Sequence, residues 1–243
     1  MPRAANAQRQ RINKASRQLS SDAIRWSEAS EWLLPPQQAR SLDTLRRILQ
    51  AATGLFAELG YAQTTVAAIS KASGVSTGSI YGRFEDKEAI LNTLMDAYYR
   101  SRMEQFDALF SVEACGDFDL GQLVSYYTDL LLASFRQDGA LILLADSQRM
   151  TNDMIARQVN ELNHHVASCF AEVLCHHVAP KRQADVRAAA MLYHDMVCCL
   201  ARIAIQPTGP VASGFTPDDP ASRQRVIGMF LDHLRMIGLV SVA

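Results

Sequence analysis

The chain has 243 residues, of which 49% are hydrophobic, and this is typical of a globular protein with a buried core. Its 24 basic and 25 acidic residues leave a formal net charge of -1, so overall charge does not indicate a nucleic-acid partner. The composition excludes fibrous and wholly disordered proteins.

The first 20 residues are basic, although the whole chain is nearly neutral. They contain no acidic side chain, and their cations are Arg3, Arg9, Arg11, Lys14 and Arg17. Two interpretations stay open: a solvated tail, or an arm that follows DNA phosphates or enters a minor groove. Residues 1–40 as a whole are interpreted as an N-terminal extension, with one short helix predicted before Pro35.

Strong helical periodicity begins after residue 40, and no alternating run of β-branched residues predicts a sheet. Apolar side chains recur on one helical face from Leu45 to Leu59, and Gly60 follows as a C-terminal stop. A short second helix is predicted at about 66–73, with Thr65 as its N-terminal cap. These patterns predict an all-α protein.

A glycine turn separates the second predicted helix from a third. Gly74 breaks the second helix, Ser76 is placed to cap the third, and Asp86 is placed to cap a long fourth one. Four apolar residues are expected to anchor the short helices on the first helix: Ile69, Val75, Ile80 and Phe84. This is a helix-turn-helix arrangement, whose second short helix enters the major groove of DNA in proteins that use it.

The exposed start of the third helix is the predicted DNA-reading surface. Thr77, Gly78 and Ser79 have short side chains or none, so the helix can approach bases closely with its N–H groups near phosphate. Residues 45–91 resemble the DNA-binding region of the tetracycline-repressor (TetR) family, because the segment FAELGYAQTTVAAISKASGVSTGSIYGRFEDKEAIL follows its pattern nearly throughout. The DNA-binding residues predicted from spacing and resemblance are Thr65, Ser76, Thr77, Gly78, Ser79, Tyr81, Arg83 and Lys87.

The resemblance implies that Tyr81, Arg83 and Lys87 lie near the DNA backbone. Two positions depart from the family pattern. Ala68 stands where an acidic residue often completes a capping box, and Gly82 stands where a histidine or tyrosine is common. Arg83 is expected to compensate for the missing side chain at Gly82.

The region after the helix-turn-helix is predicted to be a helical bundle. Helices are expected at 120–137, 140–150, 153–178, 183–205 and 219–238, with breaks at Asp138-Gly139, Pro180 and 206–218. We divide the chain into an N-terminal extension (1–40), a DNA-binding head (41–91) and a ligand-binding and dimerisation body (92–243). The resemblance implies a homodimer through the last two helices, both of which have broad apolar surfaces.

The resemblance also implies a ligand pocket in the body. Four polar residues are candidate ligand contacts: Arg149, His165, His194 and Asp195. His194 and Asp195 lie in the most apolar helix, where each polar group is expected to have a partner. The effector expected for a wall of Met, Phe, Tyr and Leu is a small apolar or aromatic molecule with one or two polar groups.

All six histidines lie in the body, as do the five cysteines. The cysteines lack CxxC spacing, so neither a disulfide framework nor a zinc finger is indicated, and we expect no cofactor and no metal. His165 and Cys169 are four residues apart, as are His194 and Cys198, so a metal-responsive or redox-responsive regulator stays open as an alternative.

The sequence therefore predicts a ligand-responsive transcriptional regulator, a dimer that represses from a palindromic operator in double-stranded DNA until an effector releases it. An activator, a purely architectural or partner-binding module, and a helical enzyme with a Cys/His site remain alternatives. No catalytic motif in the sequence supports the enzyme alternative. Because no leader and no apolar run of about 18 residues is evident, we expect no membrane partner and a cytoplasmic location.

Overall fold

The computed structural model describes residues 41–206 and 214–238, together with residues 33 and 212. All regular structure in this part of the chain is helical, which confirms the all-α class. The α-helices are α1 (Ser41–Leu59), α2 (Val66–Ser73), α3 (Thr77–Tyr81), α4 (Lys87–Leu109), α5 (Val112–Cys115), α6 (Leu120–Gln148), α7 (Asp153–His176), α8 (Gln183–Ile205) and α9 (Pro220–Met236). A 3-10 turn, Pro180–Arg182, precedes α8. The basic stretch and short helix expected before residue 40 lie outside the described residues.

One predicted helix break is wrong. The sequence predicted separate helices at 120–137 and 140–150, whereas α6 continues from Leu120 to Gln148 without interruption. Asp138 is only 3% exposed, and a Cβ on Gly139 would lie 3.6 Å from Cδ1 of Ile205. Packing around this stretch therefore outweighs the helix penalty of glycine, which is about 1 kcal/mol.

The described chain divides into two compact units. The first unit contains the described residues up to Arg102 together with Ala140–Asn160, and the second contains Met103–Gly139 and the described residues from Glu161 onward. The compact units therefore do not follow the expected boundary after residue 91. As a functional division, that boundary stays a prediction.

Helix α1 supplies much of the apolar core of the first unit. Its residues Leu45, Ile48 and Phe56 are at most 2% exposed, as the periodicity of the sequence predicted. The four expected anchors are buried as well, namely Ile69, Val75, Ile80 and Phe84. Burial of these anchors holds the short helices α2 and α3, which are too short to be stable alone.

The beginning of α7 also belongs to the first unit. The Asn152 side chain donates hydrogen bonds to Glu88 and Asn92 of α4, both at 3.1 Å. Its amide oxygen accepts a hydrogen bond from the backbone N–H of Ile155 and so caps α7. Asn92 is buried, and Asn152 satisfies a polar group that would otherwise be costly to bury.

Aromatic rings fill the centre of the second unit. Tyr127 stacks on Phe170 with ring centroids 3.8 Å apart, and Tyr193 stacks on Phe230 at 4.1 Å. Phe110 contacts both Tyr127 and Phe170. Helices α6, α7, α8 and α9 each contribute one ring to this cluster, and Phe110 follows directly after the end of α4. We call these five rings the aromatic core.

Helix α8 has one buried and one exposed apolar face. Val186, Tyr193 and Val197 are each 1% exposed, whereas Leu192 is 66% and Ile203 is 44% exposed. The segment Pro180–Ile205 is long and apolar enough to cross a membrane by length and composition, which the sequence analysis did not anticipate. A core helix meets the same criterion, and 39% of the most apolar window is buried inside the protein.

Candidate nucleic-acid interface and body clusters

The N-terminus of α2 is capped as predicted. The hydroxyl of Thr65 accepts a hydrogen bond from the backbone N–H of Ala68 at 3.1 Å, and the extended backbone of Thr65 has the usual cap conformation. Ala68 offers no side chain that could return a hydrogen bond to the Thr65 N–H. The cap is therefore one-sided, in agreement with the departure noted in the sequence.

Two small serines organise the turn between α2 and α3. The hydroxyl of Ser70 donates to the carbonyl of Val75 at 2.6 Å, and the hydroxyl of Ser73 accepts from the N–H of Val75 at 3.3 Å. Both backbone groups of Val75 thus have partners while its side chain is buried. Ser70 and Ser73 therefore hold the backbone of the turn in place.

Arg47 of α1 fastens the same turn and was not singled out from the sequence. Its guanidinium donates to the carbonyl of Ser73 at 2.7 and 3.0 Å and to the carbonyl of Gly74 at 3.0 Å. These carbonyls end α2, where a cation interacts favourably with the helix dipole. Gly74 has φ 64°, and a Cβ there would lie 2.8 Å from Nη2 of Arg47. The turn therefore requires glycine.

One face of α3 is exposed while the other is anchored. Ile80 is fully buried, whereas Tyr81 is 50% exposed. The hydroxyl of Ser76 accepts from the N–H of Ser79 at 3.2 Å and is hydrogen-bonded to its hydroxyl at 2.8 Å, so Ser76 caps α3 as expected. The exposed residues among the predicted DNA contacts are Thr65, Ser76, Thr77, Gly78, Ser79 and Tyr81.

Lys87 has protein partners that the sequence did not reveal. Its ammonium donates to the backbone carbonyls of Tyr61 at 2.8 Å and Thr64 at 2.9 Å, and it lies 4.1 Å from the centre of the Tyr61 ring. Lys87 therefore fastens the loop before Thr65 to the start of α4. An ammonium has three N–H donors, so one remains for a further acceptor.

Gly82 and Arg83 lie in the turn between α3 and α4. Gly82 has φ -73°, a conformation open to any residue, and its N–H donates to the carbonyl of Gly78 at 2.9 Å. The glycine is therefore not required by the backbone. Arg83 is half-buried.

His194 is the centre of a buried polar cluster in the second unit. Its Nδ1 lies 2.7 Å from the hydroxyl of Tyr127, and Cys198 Sγ lies 3.5 Å from its Nε2. Burial lowers the pKa of His194 to about 4 and raises the pKa of Cys198 to about 12. The partner expected for His194 is therefore present. Asp195 is exposed, so solvent can satisfy its carboxylate, and a protein partner for it stays a prediction.

His165 and Cys169 of α7 share a face, as their spacing predicted, and α4 adds a third group beside them. Nε2 of His165 lies 2.7 Å from Oδ1 of Asp107, and Sγ of Cys169 lies 3.6 Å from the same oxygen. Burial first, and then Asp107, raise the pKa of Cys169 to about 11. Arg149 lies in the first unit and pairs with Asp146 at 3.7 Å.

A family model described as bacterial regulatory proteins of the tetR family matches residues 48–94. This segment contains all of α2 and α3, and every predicted DNA-binding residue lies within it. The helix-turn-helix segment of the chain is therefore of the tetR type. The buried anchors and the two helix caps are thus features of a tetR-family head, whereas the His194 and Asp107 clusters lie outside the matched segment.

Individual proteins of known sequence agree with the tetR assignment. The chain is 31% identical to the HTH-type transcriptional regulator HbdR of Aromatoleum sp. (strain CIB) over 125 residues, 46% of the chain and 55% of HbdR. It thus spans about half the length of that relative. It is 26% identical to the HTH-type transcriptional regulator TtgR of Pseudomonas putida over 188 residues, 77% of the chain and 75% of TtgR.

Solved structures agree with the fold. A crystal structure assigned to the TetR family, from Mesorhizobium loti, matches with a TM-score of 0.59 at 19% identity, over 82% of this chain and 98% of that one. GusR of Salmonella enterica matches with a TM-score of 0.57 at 20% identity, over 82% of this chain and all of GusR. At such identities the likeness shows the fold alone.

Proposed function

We propose that the chain is a DNA-binding transcriptional regulator that reads an operator with α3. One observation carries this proposal: α3 exposes its N-terminal residues while buried Ile80 anchors it, inside the segment that matches the tetR family. A helix held in this way can enter a major groove without losing its packing.

The proposed contacts fall into two groups. Thr77, Gly78 and Ser79 face the bases, where short side chains allow close approach. Tyr81 and Arg83 lie along the phosphates and fix the register of the helix. Lys87 acts mainly through the loop that it holds at Tyr61 and Thr64, and its remaining N–H and charge are available to a phosphate.

We also propose a homodimer through α8 and α9. Each helix combines a buried face with large exposed apolar side chains, which are Leu192 and Ile203 on α8 and Met229 and Met236 on α9. Exposed apolar patches of this kind mark protein interfaces. Leu192→Arg is expected to give a monomer in sedimentation experiments, whereas Met150→Arg, at an even more exposed apolar residue of the first unit, is expected to leave the dimer intact. Two monomeric or two dimeric variants would contradict this interface.

Such a dimer would hold its two α3 helices at the spacing of successive major grooves, about 34–36 Å, and would prefer a palindromic operator. An effector that prefers a different spacing lowers operator affinity, so repression is relieved when the effector binds. The effector proposed is a small apolar or aromatic molecule with uncharged polar groups. His194 and the hydroxyl of Tyr127 are neutral at pH 7, because burial lowers the pKa of His194 to about 4 and raises the pKa of Tyr127.

The deciding experiment measures affinity of the full chain for DNA from immediately upstream of its own gene, across a range of salt concentrations. Tyr81→Ala and Thr77→Ala test the proposed surface, and Lys181→Ala, an exposed cation of the second unit, is the matched control. The wild type is expected to protect a short palindrome, with affinity falling steeply as salt rises. Both surface variants should bind at least about tenfold more weakly, as expected for loss of about 1.4 kcal/mol.

Other outcomes would favour different functions. Equal affinity for the upstream DNA and random DNA, unchanged in the Tyr81 and Thr77 variants, would contradict the proposed reading surface. Binding of the head to another protein instead of DNA would favour the architectural or partner-binding function. A screen for effectors then uses release from the operator, and stronger DNA binding on effector addition would identify an activator or a ligand-assisted repressor.

A further inference from the structure

The contact between α4 and α7 at Asp107 unites three groups that can each coordinate a metal ion. Their ligand atoms are Oδ1 of Asp107, Nε2 of His165 and Sγ of Cys169. The Sγ atom of Cys169 lies 3.6 Å from Oδ1 and 3.8 Å from Nε2, and the oxygen and nitrogen are 2.7 Å apart. The sequence offered only the two residues of α7, since Asp107 is 58 positions from His165.

We propose that Asp107, His165 and Cys169 form a site for a divalent transition-metal ion of the zinc class. Tetrahedral zinc holds oxygen and nitrogen at about 2.0–2.2 Å and sulfur at about 2.3 Å, which separates neighbouring ligand atoms by roughly 3.3–3.6 Å. The two sulfur distances already lie within a few tenths of an ångström of this range. Only the contact between Asp107 and His165 has to open, by about 0.6 Å, to admit the ion.

The donor set selects this class of ion. A thiolate and an imidazole suit zinc and its neighbours in the first transition row, whereas magnesium and calcium prefer oxygen ligands alone. Three protein ligands leave a fourth position for water or an exchangeable group. The side chains of His165 and Asp107 are 34% and 53% exposed, so an ion can reach the site from solvent.

The charges around Cys169 also favour a cation. The carboxylate oxygen Oδ1 of Asp107 lies 3.6 Å from the sulfur of Cys169, so two anionic ligands face each other when the thiol is ionised. A bound divalent ion compensates for both negative charges, and the thiol proton is released to solvent on binding. Without the ion, the same atoms form a hydrogen bond between His165 and Asp107 with a thiol beside it, which is the competing interpretation.

The test is direct metal binding by the full chain, so DNA binding has no part in it. Reduced protein is titrated with Co²⁺, and Zn²⁺ affinity is measured by competition with a chromophoric chelator. Wild-type protein is expected to bind one Co²⁺ with an absorption band from sulfur-to-metal charge transfer. Cys169→Ser should abolish that band and weaken Zn²⁺ binding by at least about 100-fold, since loss of a ligand exceeds the 10–100-fold cost of losing an outer-shell group.

Two further variants separate the site from a chance thiol. His165→Gln and Asp107→Asn keep the sulfur, and each should weaken Zn²⁺ binding more than about tenfold. The matched controls are Cys199→Ser and His164→Gln, which remove an exposed thiol and an exposed imidazole of the second unit outside the cluster. Both should bind like the wild type.

The proposal is overturned if wild type binds Zn²⁺ no more tightly than Cys169→Ser, or if the control variants lose as much affinity as the cluster variants. Circular dichroism and the thermal midpoint of each variant show that it is folded, and the partial exposure of the cluster makes loss of the fold unexpected. A failed metal titration would leave the proposed DNA surface intact, because that surface is tested by operator affinity alone.

Discussion

The helix-turn-helix segment and the aromatic core are held together in opposite ways. In the segment, Thr65, Ser70 and Ser76 make hydrogen bonds to groups three to five residues away. In the second unit, Tyr127 meets His194 across 67 positions and Thr128 meets Tyr193 across 65. The head is thus built largely from local interactions, whereas the body is built from contacts between distant helices.

This difference decides where function can be read from sequence. Local caps and turns leave a short signature, because each requires a particular residue type at a fixed spacing. Contacts between distant helices require only apolar or polar residues of suitable size, which many sequences supply. The matched tetR segment covers only the region with local signatures.

The largest effect is expected when the long-range core is broken. Phe170 is fully buried and contacts four other rings, so Phe170→Ala should lower the free energy of unfolding by about 3–5 kcal/mol. Phe118→Ala is the matched control, because this half-buried ring has one edge contact, with Tyr126. Chemical denaturation measures both, and equal losses would mean that the aromatic core has no special share in stability.

Most of the head could be predicted from the sequence. The bounds of α2, the caps at Thr65, Ser76 and Asp86, and the four buried anchors agree with the structure. What was missed in the head is long-range: Arg47 acts 26 positions away on Ser73, and Lys87 acts 26 positions away on Tyr61. In a sequence, a cation that donates hydrogen bonds to distant backbone carbonyls cannot be distinguished from a solvated surface cation.

The body was predicted as helices but not as a site. Helix periodicity indicated α7, α8 and α9, yet it could not show that Asp138 is buried inside a continuous α6. Periodicity also could not show that Asp195 lies on the exposed face of α8. It could not show that Asp107 is hydrogen-bonded to His165. These facts depend on the rotation and pairing of helices, which tertiary packing determines.

The second effect depends on pH and belongs to the body alone. The folded protein lowers the pKa of His194 from its ordinary 6.5 to about 4, chiefly by burial. Folding therefore favours the neutral imidazole ring. The contribution of His194 to the free energy of unfolding is complete above pH 6.5 and is lost as pH falls towards 4. The loss corresponds to roughly 3 kcal/mol.

The variant His194→Gln isolates this contribution. Glutamine can still hydrogen-bond to Tyr127 but does not titrate, so the fall in unfolding free energy between pH 6.5 and 4.5 should become shallower. His164→Gln removes an exposed histidine of the same unit and should keep the wild-type profile. Parallel profiles for the wild type and His194→Gln in denaturant titrations would rule out this cause.

The smallest effects separate stability from DNA binding within the head. Gly74→Ala forces a left-handed residue and displaces Arg47, so it should cost about 1–3 kcal/mol and weaken operator binding. Gly78→Ala meets no atom within 4 Å and should raise helix stability by up to about 1 kcal/mol, yet its methyl group lies on the proposed base-facing surface and should weaken binding. Gly54→Ala in α1, equally uncrowded, should stabilise the protein and leave operator affinity unchanged. Chemical denaturation and operator titration measure the stability and the DNA affinity of all three variants. If Gly78→Ala bound the operator as tightly as Gly54→Ala, the proposed surface would be contradicted, because the bare backbone of α3 would then not face the DNA.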